Sequence, residues 1–208
     1  MDLLFVIEHL EPEIGKWLYI EYMHASEIAG KDKLMFTNVK NSKDAELLSK
    51  LGTVKHESFA RIFTSEKIII LDPKASKKLR PKDFMGKEAV IIGGILGDYP
   101  PRGRTEKLVT AKLPTATIRN IGREQFSIDG AVYMAKLVGE GRKLEEIPVM
   151  NGLTIKLNEH AEIFLPYAYP LRGNRPVIHK DLIEYLRSEE IIRDEERLLK
   201  TYFQTEVK

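Results

Sequence analysis

GGILGDYPPRGRT (residues 93–105) decides how the rest of this chain is read. The apolar run AVII (89–92) feeds straight into it, so a buried strand delivers a loop with three glycines before Asp98. Glycines let backbone approach a ligand closely, and successive amides can line a small concave site. The spacing is not GxGxxG and no Walker lysine comes after it, which argues against dinucleotides and nucleoside triphosphates. Gly94 and Gly97 have the spacing of a GxxG nucleic-acid clamp, but the intervening Ile95-Leu96 is apolar. The competing reading is a tight structural turn. Pro100-Pro101 stiffens the second half of the stretch, and Asp98 can pair with Arg102 or Arg104. As a site, Asp98 meets a polar or cationic group and the arginines an acidic one; as structure, the three form an internal ion pair.

Outward from this loop, short apolar runs alternate with helical patterns. LLFVIEHL (3–10), LMFTNV (34–39), KIIIL (67–71), AVII (89–92) and a piece of LPTATIRNIG (113–122) read as strands. A helix is expected from about Glu13 to Ala29, opened by Pro12, carrying Trp17, Ile20 and Ile28 on one apolar face and ended by Gly30. Ser42 is the expected N-cap of KDAELLSKL, and Ser127 that of the helix through Val138. This order predicts an α/β fold, a mostly parallel sheet with helices on both faces. Ligands of such sheets bind beyond the carboxyl ends of strands. The loops after Leu71, Ile92 and Ile118 all lie there, so they are expected to converge.

After about residue 140 the pattern changes. Residues 145–178 alternate apolar and polar positions broken by Gly and Pro, with a turn at Gly173-Asn174. One or two charged amphipathic helices come next. The whole chain, 1–208, reads as one domain: a core over about 1–140 and a C-terminal extension over about 141–208.

Composition bounds the function. The chain has 208 residues, 43% hydrophobic and 31% charged, a net charge of +2 and no cysteine. These are globular values, and thiolate chemistry and disulfides are excluded. The five histidines show no metal-ligand spacing, so no metal is expected. No run is long enough for a membrane span, and MDLLFVIEHL lacks a basic leader region, so a cytoplasmic protein is expected. The mild positive charge permits nucleic-acid contact without demanding it.

Three other stretches carry chemistry. IRNIGREQFS (118–127) places Gly122 just before a helix start, suited to presenting amides, although Gln125 and Ser127 also read as caps. Glu8 and His9 end the first strand, with Glu11 and Glu13 behind them; they suit a cation, or simply a helix N-terminus. The basic run KASKKLRPK (74–82) holds no acid and reads as a phosphate contact or a solvated loop.

In order, VIEHLE, a helix with W and IEY, GGILGDYPPRGRT and IRNIGREQFS-x-D resemble the SPOUT-class methyltransferases of the fungal ribosomal-protein arginine type. Archaeal members of that group have been described as predicted S-adenosylmethionine-dependent RNA methyltransferases. The resemblance covers nearly the whole chain and is weakest after about residue 140. It implies a deep trefoil knot in the C-terminal part of the sheet, which periodicity alone does not reveal. It also implies S-adenosyl-L-methionine bent among three loops. Carried over residue by residue, these supply Leu71 and Asp72; Gly93, Gly94, Ile95, Gly97 and Asp98; and Arg119, Asn120, Ile121, Gly122 and Gln125. The candidate catalytic residues are Glu8, Asp98 and Arg102, and replacing Glu8 by Gln is then expected to cut turnover while sparing donor binding. The acceptor implied first is an arginine of a protein, a ribosomal protein as in the group resembled. The alternatives are ribosomal or transfer RNA, and a donor-binding module without turnover. The resemblance favours a monomer, a dimer being the usual SPOUT state, and implies no membrane partner.

Overall fold

The computed structural model describes residues 3–97, 100, 102–191, 193 and 194. Six strands form one parallel sheet: β1 (Leu4–His9), β2 (Leu34–Thr37), β3 (Thr53–Val54), β4 (Ile68–Leu71), β5 (Ala89–Gly94) and β6 (Thr117–Arg119). Their spatial order is β3-β2-β1-β5-β4-β6. The adjacent interior strands β1, β5 and β4 carry continuous apolar runs, as burial on both faces requires. Alternation then assigns the faces. Phe5, Ile7, Ile69, Val90 and Ile92 join a core with helices α1 (Lys16–Ala29) and α5 (Ile128–Gly139). Val6, Ile68, Ile70, Ala89 and Ile91 face the other way, onto Phe59 and Val109. Phe59 opens the short helix α3 (Phe59–Ile62), and Val109 comes directly after α4 (Arg104–Leu108). The register pairs Glu8 with Gly93 and His9 with Gly94.

Two helix starts differ from the sequence expectation. Helix α1 begins at Lys16 with Gly15 as N-cap, three residues after Glu13. The preceding segment is held elsewhere, because the Glu11 carboxylate accepts from the Leu96 amide at 2.9 Å. Helix α2 (Ser42–Ser49) is capped by Asn41, whose side chain accepts from the Lys43 amide, so Ser42 is the first helical residue. Ser127 does cap α5, accepting from the Gly130 amide.

The extension is an antiparallel hairpin, β7 (Val149–Lys156) and β8 (Glu162–Arg172), with β9 (Arg175–Pro176) beside β8. Gly173 and Asn174 turn the chain with φ of +55° and +63°, the geometry two-residue hairpin loops prefer. Helix α6 (Lys180–Arg187) follows β9, and the described residues 190, 191, 193 and 194 are helical again. Leu182, Tyr185 and Leu186 of α6 pack with Ile155, Leu165 and Tyr169 onto Ile20 of α1. Trp17, expected in the core, packs half-buried at the edge of this cluster.

The chain's path after β6 places the loops. Asn120 donates its amide to Lys77 O at 2.9 Å, and its carbonyl accepts from Leu79 at 2.8 Å. Segment 77–79 lies in the connection between β4 and β5. The chain then enters α5, where Gly139 lies against Phe84 of that same connection.

Candidate functional site

The three loops do converge. A cavity of about 220 Å³ opens at the carboxyl ends of β4 and β5. Leu71 and Asp72 line it from the first loop, Gly93, Ile95 and Gly97 from the second, and Ile121 and Gln125 from the third. Each loop is tied down from below. Asp72 is buried and accepts from Thr110 Oγ1 at 2.6 Å and the Lys74 amide at 2.9 Å. Leu96 is gripped on both sides of its backbone. Its amide donates to Glu11, and its carbonyl accepts from Arg104 Nη2, while Arg104 Nη1 lies 3.2 Å from the same Glu11 carboxylate. Asn120 donates from Nδ2 to Ala75 O at 2.7 Å and accepts from the Gly122 amide, joining the third loop to the first.

Several expected donor contacts are therefore supports and do not line the cavity. Asn120 and Gly122 act through these bonds between the loops. Arg119 forms a two-point ion pair with Asp83, both distances 2.9 Å. A Cβ on Gly94 would lie 2.4 Å from the Tyr22 hydroxyl and 2.8 Å from Glu8 O. One on Gly97 would lie 1.4 Å from Gln125 Nε2 and 2.4 Å from Tyr167. These two glycines are required by neighbouring protein, not only by a ligand. Gly93 differs: it lines the cavity, and its nearest protein neighbour in the Cβ position is at 3.4 Å.

The expected acids separate. Asp98 lies outside the described residues. Glu8 is fully buried on the Phe59 side of the sheet and does not line the cavity. Its Oε2 accepts from Thr37 Oγ1 at 2.6 Å and the Phe59 amide at 3.0 Å. Its Oε1 accepts from Ser58 Oγ and Lys112 Nζ, both at 2.6 Å. His9 is buried too, 3.0 Å from the Tyr22 hydroxyl, and burial lowers its pKa. Arg102 is exposed and lines the cavity, with Lys74, Arg104 and Arg123 also at the rim. In the basic run, Lys74 pairs with Glu106 and Lys78 with Glu145.

Sequence reasoning passed over Glu124, an exposed carboxylate on the cavity lining. Among the described residues it makes no hydrogen bond or ion pair. It also passed over Tyr167, which donates to Gly97 O at 3.0 Å from 70 positions away. Glu124 sits inside IRNIGREQFS and was legible there; nothing near Tyr167 marks it. No group of three or more His, Asp or Glu among the described residues could hold a metal ion.

Residues 4–192 match the family model described as protein arginine N-methyltransferase SFM1-like. The chain belongs to that family. It is 27% identical over 201 residues to protein arginine N-methyltransferase SFM1 of Saccharomyces cerevisiae, covering 89% of this chain and 94% of the relative. The crystal structure of the yeast enzyme complexed with SAM superposes with a TM-score of 0.83 at 25% identity, covering 90% of this chain and 91% of that one. The complex with SAH gives 0.80 at 25% identity, over 87% and 93%. A Trm10 structure from Thermococcus kodakaraensis shares the fold, with a TM-score of 0.53 at 20% identity over 69% of this chain and 96% of that one. The family model spans the parallel sheet and the extension alike, so both belong to the family's architecture.

Proposed function

We propose that this chain transfers the methyl group of S-adenosylmethionine to a guanidinium nitrogen of an arginine in a protein, a ribosomal protein being the class favoured by the sequence resemblance. The observation that carries this is the three-loop cavity at the carboxyl ends of β4 and β5, on a fold matched almost end to end by a SAM-bound arginine methyltransferase. The lining suits the donor. Leu71, Ile92, Ile95 and Ile121 offer apolar walls for a purine, Gly93 leaves backbone uncovered, and a rim arginine such as Arg102 matches the donor's carboxylate.

The donor supplies an activated methyl on sulfonium, so the protein's task is alignment and proton handling. The arginine nitrogen's lone pair forms the new N–C bond while the C–S electrons return to sulfur, leaving a neutral thioether. The methylated guanidinium then gives up the extra proton to water. A guanidinium only donates hydrogen bonds, so its orientation needs carboxylates. Of the described carboxylates lining the cavity, Asp72 is engaged by Thr110 and Lys74, whereas Glu124 has its oxygens open. Glu124 is therefore the described residue best suited to hold the acceptor, with Asp98 the candidate from the neighbouring loop.

The hydrogen bonds of Asn120 to segment 77–79 support the expected trefoil knot, since the chain passes along the β4–β5 connection before α5. A monomer is favoured, and solution size tests it: a dimer at micromolar concentration sinks that part. The second reading, RNA as acceptor, draws on the rim of Lys74, Arg102, Arg104 and Arg123. Methyl-labelled donor and ribosomes from a strain lacking the enzyme separate the two. Label removed by protease and surviving ribonuclease is expected; the opposite pattern would make RNA the substrate.

A further inference from the structure

We propose that strand β8 of the C-terminal extension is the buttress behind two walls of the donor cavity, with Tyr167 the positioning residue that fixes the cavity's second loop against its third. The inference rests on the donor reading and assigns a role to a part of the chain lying outside the 1–140 core.

Two successive residues of β8 hold two different loops. Tyr167 donates its hydroxyl to the Gly97 carbonyl at 3.0 Å. Ala168 donates its amide to the Gln125 carbonyl at 2.8 Å, and Ala168 also forms a parallel bridge with Phe126. Gly97, Gln125 and Phe126 all line the cavity. The packing is as close as the bonding. The Cβ position of Gly97 falls 1.4 Å from Gln125 Nε2 and 2.4 Å from the Tyr167 ring, so both side chains occupy space any other residue at 97 would need. Strand β8 is itself fixed from behind, where Leu165 and Tyr169 are buried against Ile20 of α1. The distance between the two loops is thus set by a strand anchored elsewhere, and a pocket preset in this way binds without first ordering its walls. The parallel sheet alone does not close the site.

The test uses the full chain. In Tyr167→Phe the ring and its packing stay and only the hydroxyl goes. The dissociation constant for S-adenosylmethionine, by calorimetry, is expected to rise about 3- to 10-fold, the order of a neutral hydrogen bond such as that to Gly97. The urea midpoint without donor should fall only slightly, and the turnover at saturating donor and the acceptor KM should stay within about twofold. Gly97→Ala, which forces Gln125 and Tyr167 apart, should weaken the donor by at least 30-fold. Unchanged donor affinity in both variants would overturn the inference and leave the donor reading standing. A lowered midpoint with unchanged affinity would also overturn it, since the tyrosine would then serve the hairpin alone. Absence of donor binding by the unsubstituted protein would instead sink the donor reading itself.

Discussion

Glu8→Gln separates two roles for the same carboxylate. Four donors converge on Glu8, and its side chain is fully buried while Lys112 is 32% exposed. Glutamine keeps the shape but offers one acceptor oxygen and an NH₂ group. If the oxygen takes the Oε1 place, Ser58 and Lys112 keep their partner. The buried Phe59 amide then faces a donor, and Thr37 can turn only to Ile7 O, 3.5 Å away. In either orientation Lys112 loses its counter-charge; if the oxygen takes the Oε2 place, it loses its acceptor as well and must swing to water. An unmade buried hydrogen bond costs about 1–3 kcal/mol, and breaking a buried ion pair about 3–5, less here because Lys112 reaches solvent. The expected loss is about 3 kcal/mol, roughly 6–12 °C in melting temperature for a chain of this size. Urea unfolding followed by fluorescence measures it, alongside turnover and donor affinity at a temperature where the variant is folded. In that folded variant, turnover should fall by less than tenfold. A stability change under about 0.5 kcal/mol with turnover down more than a hundredfold would refute the reasoning and return Glu8 to the chemistry. Lys112→Met on the Glu8→Gln background should cost less than the two single changes added together.

Gly93→Ala and Gly94→Ala should part company in a melt with and without donor. The alanine at 94 meets Tyr22 and the Glu8 carbonyl and should lower stability by about 1–3 kcal/mol; the one at 93 should spare stability and weaken the donor. Glu124→Gln should reduce turnover roughly 10- to 100-fold at unchanged donor affinity, the worth of a charge-assisted hydrogen bond to the acceptor, and equal turnover would remove Glu124 from the site. Burial, with the nearby Asp129 charge, raises the Glu21 pKa to about 8. Between the unfolded value of about 4.5 and 8 the native protein therefore binds more protons, and this group makes stability fall as pH rises, by up to about 1.4 kcal/mol per unit, then level off. Burial lowers the His9 pKa, so His9 contributes the opposite sign below about 6.5. The difference between the unsubstituted protein and Glu21→Gln in urea at pH 5, 7 and 9 cancels His9; a difference independent of pH would contradict the assignment.

How much the sequence made legible depends on how far each signal reaches along the chain. Strands β1, β4 and β5 were readable because burial on both faces leaves unbroken apolar runs, and their order with the helices forced a parallel sheet. The three cavity loops were readable because each leaves a strand on the same side. Local turn chemistry was readable as well: Ser127 capped α5, and Gly173-Asn174 turned the β8–β9 hairpin. The roles inside the loops were not, because they depend on partners far away in sequence. A glycine wanted by a ligand and one wanted by a tyrosine look alike in GGILG; only Tyr22 and Tyr167, brought in by α1 and β8, tell Gly94 and Gly97 from Gly93. Arg119 reads as a ligand contact until Asp83, 36 positions earlier, takes its guanidinium. Glu8 reads as a catalytic carboxylate until Ser58, Phe59 and Lys112 arrive from 50 to 104 positions away. In each case a side chain next to the cavity in sequence serves the frame. Among the described residues, the groups left open to an acceptor, Arg102, Arg123 and Glu124, are the exposed ones at its rim. The division comes from cost. A buried charge must be fully partnered within the fold, so the polar groups free to meet a substrate are those that water can still reach.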